Sequence, residues 1–343
     1  MSLKNFEILN KIGEGAYSEV HKVRRKSDGL IYALKKVKFG TLTPKEKENS
    51  VNEIRILASI THPNVITFKE SFIDESSSFL CLITEFADGG DLLQKISAVK
   101  KRRTHFPEAE IWEIFIQALK GLKALHDLSI LHRDIKCANV YLLQNGVTKI
   151  GDMNVSKVAK MGLLYTQTGT PYYASPEVWK DQPYDSKSDI WSLGCVVYEV
   201  ASLAPPFQAM DMKGLYRKVI SGDYPPIPPL YSEDLSKVIK LMLKVDPRTR
   251  PSCSELLSNP LVLKHCETTE PHAQNELLST IKLPKQIGAL TKSLPASNYA
   301  SQKISSKFPE AFHLSPPTSY PKSFTEMSEN VMRPNRKIEK CNE

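Results

Sequence analysis

Apolar and polar residues alternate through FEILNKIG, EVHKVRR and LIYALKKVKF, all within the first 82 residues. Alternation of that kind, rich in Val and Ile, predicts half-buried strands. Ser27-Asp28-Gly29 falls between two of these runs and predicts a hairpin turn. One helical pattern interrupts them: Val51, Ile54, Leu57 and Ala58 recur at helix spacing before Thr61-His62-Pro63 stops it. The N-terminal part therefore reads as a small sheet carrying one helix. From about residue 88 the spacing becomes helical. Pro107 and Glu108 suit a first helical turn, and Ile111, Phe115, Ala118, Leu119, Leu122 and Leu125 form an apolar stripe behind them. Further helices are expected around 187–202 and 233–244.

From about residue 267 the texture turns to Ser, Pro, Lys and Asn, which predicts a mostly disordered tail over 267–343. Within it, LLSTIKLPKQIGALTKSLP at 277–295 concentrates Leu277, Leu278, Ile281, Leu283, Ile287, Leu290 and Leu294. Two readings stand for this stretch: a docking segment that orders on binding, or plain disorder. No internal repeat and no sustained heptad is present.

Composition narrows the class without deciding it. A chain of 343 residues, 41% of them hydrophobic, has enough apolar mass for two cores and a tail. The net charge of +8 arises from 46 basic against 38 acidic residues, a mixed surface and not a dedicated nucleic-acid binder. The basic run VKKRRTH at 99–105 reads as a solvated loop. Cysteines 81, 137, 195, 253, 266 and 341 show neither CxxC pairs nor His/Cys ligand spacing, which favours reduced thiols in a cytoplasmic setting over structural zinc. MSLKNFEILN has no apolar signal core, and no run is long enough to span a membrane. The expectation is a soluble, cytoplasmic protein.

The candidate chemistry begins at Gly13-Glu14-Gly15-Ala16-Tyr17-Ser18, a glycine loop with serine in its last glycine position. Val20-His21-Lys22-Val23 follows it as a strand. A dinucleotide-binding turn needs a helix start there, and no GxxxxGK[ST] exists, so Rossmann and P-loop readings both fail. Lys35 then lies on a buried-type strand, Tyr32-Ala33-Leu34-Lys35, where a lysine wants a partner; Glu53 in the lone helix suits it. Further on, His132-Arg133-Asp134-Ile135-Lys136-Cys137-Ala138-Asn139 is followed by Asp152.

These motifs, in this order, resemble the eukaryotic protein kinases over roughly residues 4–262. The resemblance extends to Ser175-Pro176-Glu177, to Asp189-Ile190-Trp191-Ser192-Leu193-Gly194, and to Arg250 in DPRTRPS. The wording GGDL, HRDIKCANV, GTPYYASPE and KSDIWSLGCVVYE is most similar to the NIMA-related serine/threonine kinases. It implies an α+β, bilobal kinase fold: an N-lobe and hinge over 1–87, a mostly helical C-lobe over 88–266, and the tail. It also implies ATP and Mg2+ as cofactors. The nucleotide would be lined by Ile12, Gly13, Gly15, Val20, Ala33, Lys35, Thr84 (the gatekeeper), Glu85, Ala87 and Asp91. Asp134 would accept the hydroxyl proton, with Lys136, Lys35 and Glu53 completing the catalytic set. Asn139 and Asp152 would hold the metal, oxygen ligands that suit a hard ion. Glu177, Asp189 and Arg250 would be structural, Arg250 pairing with Glu177 and Asp189 bracing the loop at 131–139.

Two departures from the family pattern bear on activity. Ser18 replaces the most dispensable loop glycine, and Asp152-Met153-Asn154 stands where the family reads Asp-Phe-Gly. Methionine fills an apolar plug position, and asparagine tolerates positive φ better than most residues. Every charged group needed for transfer is retained. By resemblance, Arg133 and Lys157 would gather a phosphate on Thr166, the main activating site, while Thr170 shapes the site beside Asp134. Lys136 and GTPYY imply serine/threonine substrates, Val155 leans towards threonine, and Ala138 argues against an arginine-directed substrate. Partners implied by the family are microtubule-, centrosome- or cilium-associated proteins. Against this stand a pseudokinase scaffold, supported by Ser18 and Asn154, and a basic nucleic-acid binder, supported by VKKRRTH and the net charge alone.

Overall fold

A computed structural model describes residues 2–15, 18–40, 43–74, 78–152, 171–266 and 294–299. The side chains of Glu46, Asn49 and Glu53 lie outside that description. All the described residues belong to one unit, Met1–Tyr299. The expected disorder of the tail concerns residues that, apart from 294–299, lie outside the description.

Five strands build the N-terminal sheet: β1 (Phe6–Gly15), β2 (Ser18–Arg25), β3 (Ile31–Lys38), β4 (Phe68–Asp74) and β5 (Phe79–Glu85). They pair antiparallel in the order β1-β2-β3-β5-β4, so β4 is an edge. The turn from β2 to β3 uses the expected residues. Asp28 Oδ1 accepts from the Leu30 backbone N–H at 3.0 Å, and Gly29 sits at φ +71°, where only a residue without Cβ is at ease. Strand alternation divides the side chains between two cores. Phe6, Val23, Tyr32, Leu34, Phe72, Cys81 and Ile83 pack on one face. Phe39, Phe68, Ile73 and Leu80 pack on the other, beneath Val51 and Ile54 of α1 (Pro44–Ser59). That helix starts before the apolar pattern does, because its first turns carry only polar residues.

The helical part contains α2 (Leu92–Lys101), α3 (Glu108–Asp127), α4 (Pro176–Trp179), α5 (Ser186–Ser202), α6 (Met212–Ser221), α7 (Glu233–Met242), α8 (Cys253–Leu257) and α9 (Pro260–Leu263). A two-stranded hairpin, β6 (Val140–Leu142) with β7 (Thr148–Ile150), lies beside them. α5 is buried from Ser188 to Ala201, and a helix apolar all round belongs at the centre of a core. Its start is fixed by a capping box between Asp185 and Ser188. Two local expectations need correction. Pro107 is the N-cap of α3 and Glu108 its first residue, since Pro107 at ψ 138° is extended. The basic run at 99–105 is not all loop: Val99, Lys100 and Lys101 close α2, where cations meet the helix C-terminus favourably.

The sheet is tied to the helical part through residues 64–66. Ile66 N–H donates to Ile150 O, and Ile150 N–H donates to Asn64 O, both at 2.9 Å. The Asn64 side chain donates to Thr148 O at 2.9 Å and to Gln117 on α3 at 3.1 Å. Gly121 permits this approach, because a Cβ there would meet Asn64 O at 2.4 Å.

Candidate active site

Sheet register places the sequence-assigned nucleotide residues in two rows. Gly13 pairs with Val20, Val20 with Lys35, and Lys35 with Leu82. Two residues along, and so on the same face of the sheet, Ala33 stands between Lys22 and Thr84. Ile12 lies on β1, 36% exposed. Neither Gly13 nor Gly15 has positive φ, and a Cβ at Gly13 would make only ordinary contact with Val20 at 3.5 Å. The fold itself does not demand glycine at Gly13. Glu85 ends β5 with its carboxylate engaged, accepting from Thr67 N–H at 2.7 Å and pairing with Lys149 at 2.9 Å. Its carboxylate is thus held in a structural pair. Asp91 is the N-cap of α2, accepting from Gln94 N–H at 2.8 Å, and burial pushes its carboxyl above the ordinary value.

Lys35 Nζ is ion-paired with Asp152 Oδ1. The Glu53 side chain lies outside the described residues, and so does the expected Lys35–Glu53 pair. Met153, Asn154, Val155, Lys157, Thr166 and Thr170 also lie outside them.

The loop at 131–139 is held from below by one buried carboxylate. Asp189 accepts from the backbone N–H groups of His132 and Arg133, each at 3.0 Å, from His126 Nε2 at 2.9 Å, and from the Tyr184 hydroxyl. Burial alone would raise its carboxyl, but the His126 hydrogen bond and charge outweigh it and hold the group below the ordinary value. Arg133 adopts φ +64°, an uncommon conformation for a side-chain-bearing residue. Such strain costs on the order of 1–3 kcal/mol and persists where surrounding bonds over-determine it. Asp189 supplies those bonds.

Above this brace the polar groups converge. Asp134 Oδ2 receives both Lys136 Nζ and Asn139 Nδ2 at 3.0 Å, and Asn139 Nδ2 also reaches Asp134 O at 2.8 Å. Gly151 N–H donates to Asn139 O at 3.0 Å, while Gly151 O accepts from His132 Nε2 at 3.1 Å. His132 is fully buried, and burial lowers its affinity for a proton. Gly151 must be glycine, since a Cβ would meet Ile66 Cγ1 at 2.6 Å. Asp152 follows at φ +55°. Lys35, Asp152, Gly151, Asn139, Asp134 and Lys136 therefore form one continuous polar connection.

Farther out, Arg250 grips Glu177 in a two-pronged pair at 2.7 and 2.6 Å. Ser188 Oγ donates to the same carboxylate at 2.7 Å, and Arg250 donates to the carbonyls of Lys244, Lys187 and Val245. Burial would raise the Glu177 carboxyl, and Arg250 overcomes that and holds it below its ordinary value.

Several participants were not read from the sequence. Glu199 on α5 accepts from Tyr173 OH at 2.6 Å and from Cys137 Sγ at 3.4 Å, linking residues 171–175 to the 131–139 loop. Burial raises the Glu199 carboxyl. A lone glutamate inside the apolar run of α5 was the available signal. His126 and Tyr184 offered none.

A five-stranded antiparallel sheet bonded to a helical part, a glycine-bearing strand pair in register with a strand lysine, and an aspartate-bearing loop braced by a central helix define a protein kinase domain. The protein kinase domain family matches residues 6–262. Over 259 residues the chain is 42% identical to a probable serine/threonine-protein kinase nek2 of Dictyostelium discoideum, covering 74% of this chain and 62% of that protein. It is 39% identical over 267 residues to mouse serine/threonine-protein kinase Nek1, covering 77% of this chain and 22% of the relative. With human serine/threonine-protein kinase Nek2 the identity is 38% over 266 residues, 76% of this chain and 60% of the relative. The chain belongs to the protein kinase family, in its NIMA-related branch. It spans less than two thirds of the length of these curated relatives.

Proposed function

We propose that the protein transfers the γ-phosphoryl group of ATP to serine and threonine hydroxyls of protein substrates. The observation that carries this reading is the continuous connection from Lys35 through Asp152 and Asn139 to Asp134 and Lys136. Phosphoryl transfer is mostly positioning and charge stabilisation, and it needs fixed cations beside a carboxylate able to take a proton. Asp134, fixed through Oδ2, orients the acceptor hydroxyl and receives its proton. Lys136, tethered to that same oxygen, sets a positive charge where negative charge builds on the transferred group. Lys35 leaves Asp152 for the nucleotide phosphates. Gly13 and Gly15, which the fold does not strain, leave room for backbone amides to approach those phosphates.

A divalent cation fits the donor set. Asn139 uses its amide N–H on Asp134, which leaves its carbonyl oxygen as a ligand beside the Asp152 carboxylate. An all-oxygen pair on adjacent backbone suits Mg2+, which when bound would neutralise phosphate charge. The presence of all charged groups, and three relatives named as serine/threonine kinases, favour this over a scaffold without transfer.

Arg133 and Lys157 are the proposed receptors for a phosphate on Thr166 that activates the protein, and Thr170 shapes the acceptor site. Action in the cytoplasm on microtubule-, centrosome- or cilium-associated proteins is the setting that family membership suggests. Among the described residues no helix is long and apolar enough to cross a membrane.

Transfer of labelled phosphate from ATP to a generic unfolded protein tests the reading, with and without Mg2+, beside Asp134→Asn and Lys35→Met. Each variant is expected to lose at least about 100-fold in rate. A wild type phosphorylated on Thr166 that binds ATP yet transfers no more than the variants would overturn the proposal in favour of a scaffold.

A further inference from the structure

Residues 294–299, Leu-Pro-Ala-Ser-Asn-Tyr, sit against the N-terminal sheet, far in sequence from everything they touch. Leu294 packs on the core shared by Phe39, Val51, Ile54, Phe68 and Leu80, the face that seats α1. Five residues later, Tyr299 packs on the core of the opposite face, with Tyr32 and Phe72. Between them, Asn298 N–H donates to Lys69 O on β4. A sheet with its side chains is about 10 Å thick, and six residues of irregular chain reach up to roughly 20 Å. The segment is long enough to pass from one face to the other around an edge. β4 is that edge.

The Tyr299 end is a built receptor. The Arg25 guanidinium lies 3.4 Å from the centre of the Tyr299 ring, and Tyr32 meets the ring edge-on at 5.4 Å and 81°. The Tyr299 hydroxyl donates to Glu70 Oε2 at 2.6 Å. Glu70 is only 2% exposed, and its other oxygen, Oε1, is buried with no hydrogen-bond partner among the described residues. A carboxylate buried on an edge strand is costly unless something pairs with it. Burial and Glu70 together push the Tyr299 phenol above its ordinary value, so it stays a donor at neutral pH. Cation–π contact with Arg25 adds to the ring's apolar burial.

We propose that residues 294–299 are a docking peptide that clips over the free edge of β4, with Leu294 and Tyr299 as anchors on opposite faces of the sheet. The occupant is the chain's own segment, bound in cis. The 27 residues from 267 to 293 can extend to about 90 Å, so the connection to α9 sets no tight limit, and tethering keeps the peptide at high effective concentration. The clip occupies the backbone carbonyl of Lys69 on an edge strand, the part of a sheet most prone to pair with another chain. Because Leu294 rests on the α1 core, the clip also joins the tail to the helix that carries Glu53. The inference is independent of the proposed phosphoryl transfer.

Hydrogen exchange on the full chain tests it, comparing wild type with Leu294→Ser, Tyr299→Ala and Tyr299→Phe. In the wild type the Asn298 amide is expected to exchange at least about tenfold slower than in an unfolded chain. Tyr299→Ala and Leu294→Ser, at opposite ends, should each abolish that protection and speed exchange along β4, while α3 and α5 stay unchanged. Tyr299→Phe, which keeps the ring but strands Glu70, should fall between. Wild-type exchange at the unfolded rate over 294–299 would overturn the proposal, as would protection that Tyr299→Ala leaves intact. Protection that disappears on dilution would replace the cis clip with docking onto a second copy.

Discussion

Arg250–Glu177 and Lys35–Asp152 are both cation–carboxylate pairs within one domain, and they are built for opposite purposes. The side chains of Arg250 and Glu177 are 0% and 4% exposed, and the guanidinium also satisfies three backbone carbonyls. Those of Lys35 and Asp152 are 29% and 40% exposed, and the bond joins a flexible ammonium to a carboxylate at φ +55°. Removing one member of a buried pair leaves an uncompensated charge away from water, whereas a half-exposed pair exchanges its partner for solvent or ligand at little cost. The first pair fixes residues 176–179 to the end of the helical core. The second can be unmade and remade, as the phosphate-binding role proposed for Lys35 requires. Arginine suits the fixed role because its planar fork meets a carboxylate two-pronged; lysine suits the changeable one.

The sharpest test of that contrast is Arg250→Ala. It is expected to lose about 3–5 kcal/mol of stability, read by urea or thermal unfolding. A loss below about 1 kcal/mol would mean that the buried pair is no more than a surface one. Its pH dependence should also reverse. In the wild type the Glu177 carboxyl titrates below its ordinary 4.5 when folded, so its contribution is complete above that value and fades as pH falls through the lower, folded one. Without Arg250, burial is the dominant influence and lifts the folded carboxyl above the unfolded one. The variant should then gain relative to the wild type as pH falls from about 7 to about 4, narrowing the gap. A gap that widens in acid would contradict this assignment of cause.

How legible each region was follows the same division. β1, β2, β3, α3, α5 and α7 announced themselves through apolar periodicity, whereas β4, β5, α2 and α6 were not singled out. The α+β, bilobal kinase fold came from the resemblance that the motifs carry. The three-residue strands β6 and β7 did not announce themselves, because a period cannot be read in three residues. α1 was placed correctly but begun too late, its first turns carrying polar residues without an apolar stripe. The wording around Glu177 and Arg250 survives in sequence as a motif. Tyr173 and Glu199 lie within the quoted motif wording, but their bond to each other, like that of Tyr184 to Asp189, was not legible, since packing of α5 alone brings the partners together. Lys35 is the instructive case. Sequence identifies a strand lysine in need of a carboxylate and offers Glu53, whose side chain lies outside the described residues; the pair with Asp152 was not read, because it requires knowing where β3 and residues 151–152 meet. In the tail, seven aliphatic residues at 277–295 drew attention, while the anchor Tyr299 lay beyond them in a stretch that reads as polar filler.

Asp189→Asn lies between the two pairs in expected effect. Its amide places a donor against one of the N–H groups of His132 and Arg133 that the carboxylate now receives. Loss of hydrogen bonds to a buried charge should cost about 1.5–3 kcal/mol. If Asp189 acts by holding Arg133 in its strained conformation, the rate of transfer should fall by about 10- to 100-fold while the apparent affinity for ATP changes little. Equal changes in both would show that Asp189 supports the whole fold and not the loop.

Lys35→Met should give the smallest change in stability and thereby complete the comparison. The pair it breaks is partly solvated, methionine keeps the length of the aliphatic stem along β3, and Asp152 can turn to water. The expected loss is within about 1 kcal/mol, several-fold below that of Arg250→Ala. Transfer, in contrast, should be abolished. Stability and activity would then be separated on two ion pairs of the same chemistry, one serving each. A Lys35→Met protein destabilised as much as Arg250→Ala would mean that Lys35–Asp152 is a structural pair, and that release of the lysine to a nucleotide costs more than the proposed function allows.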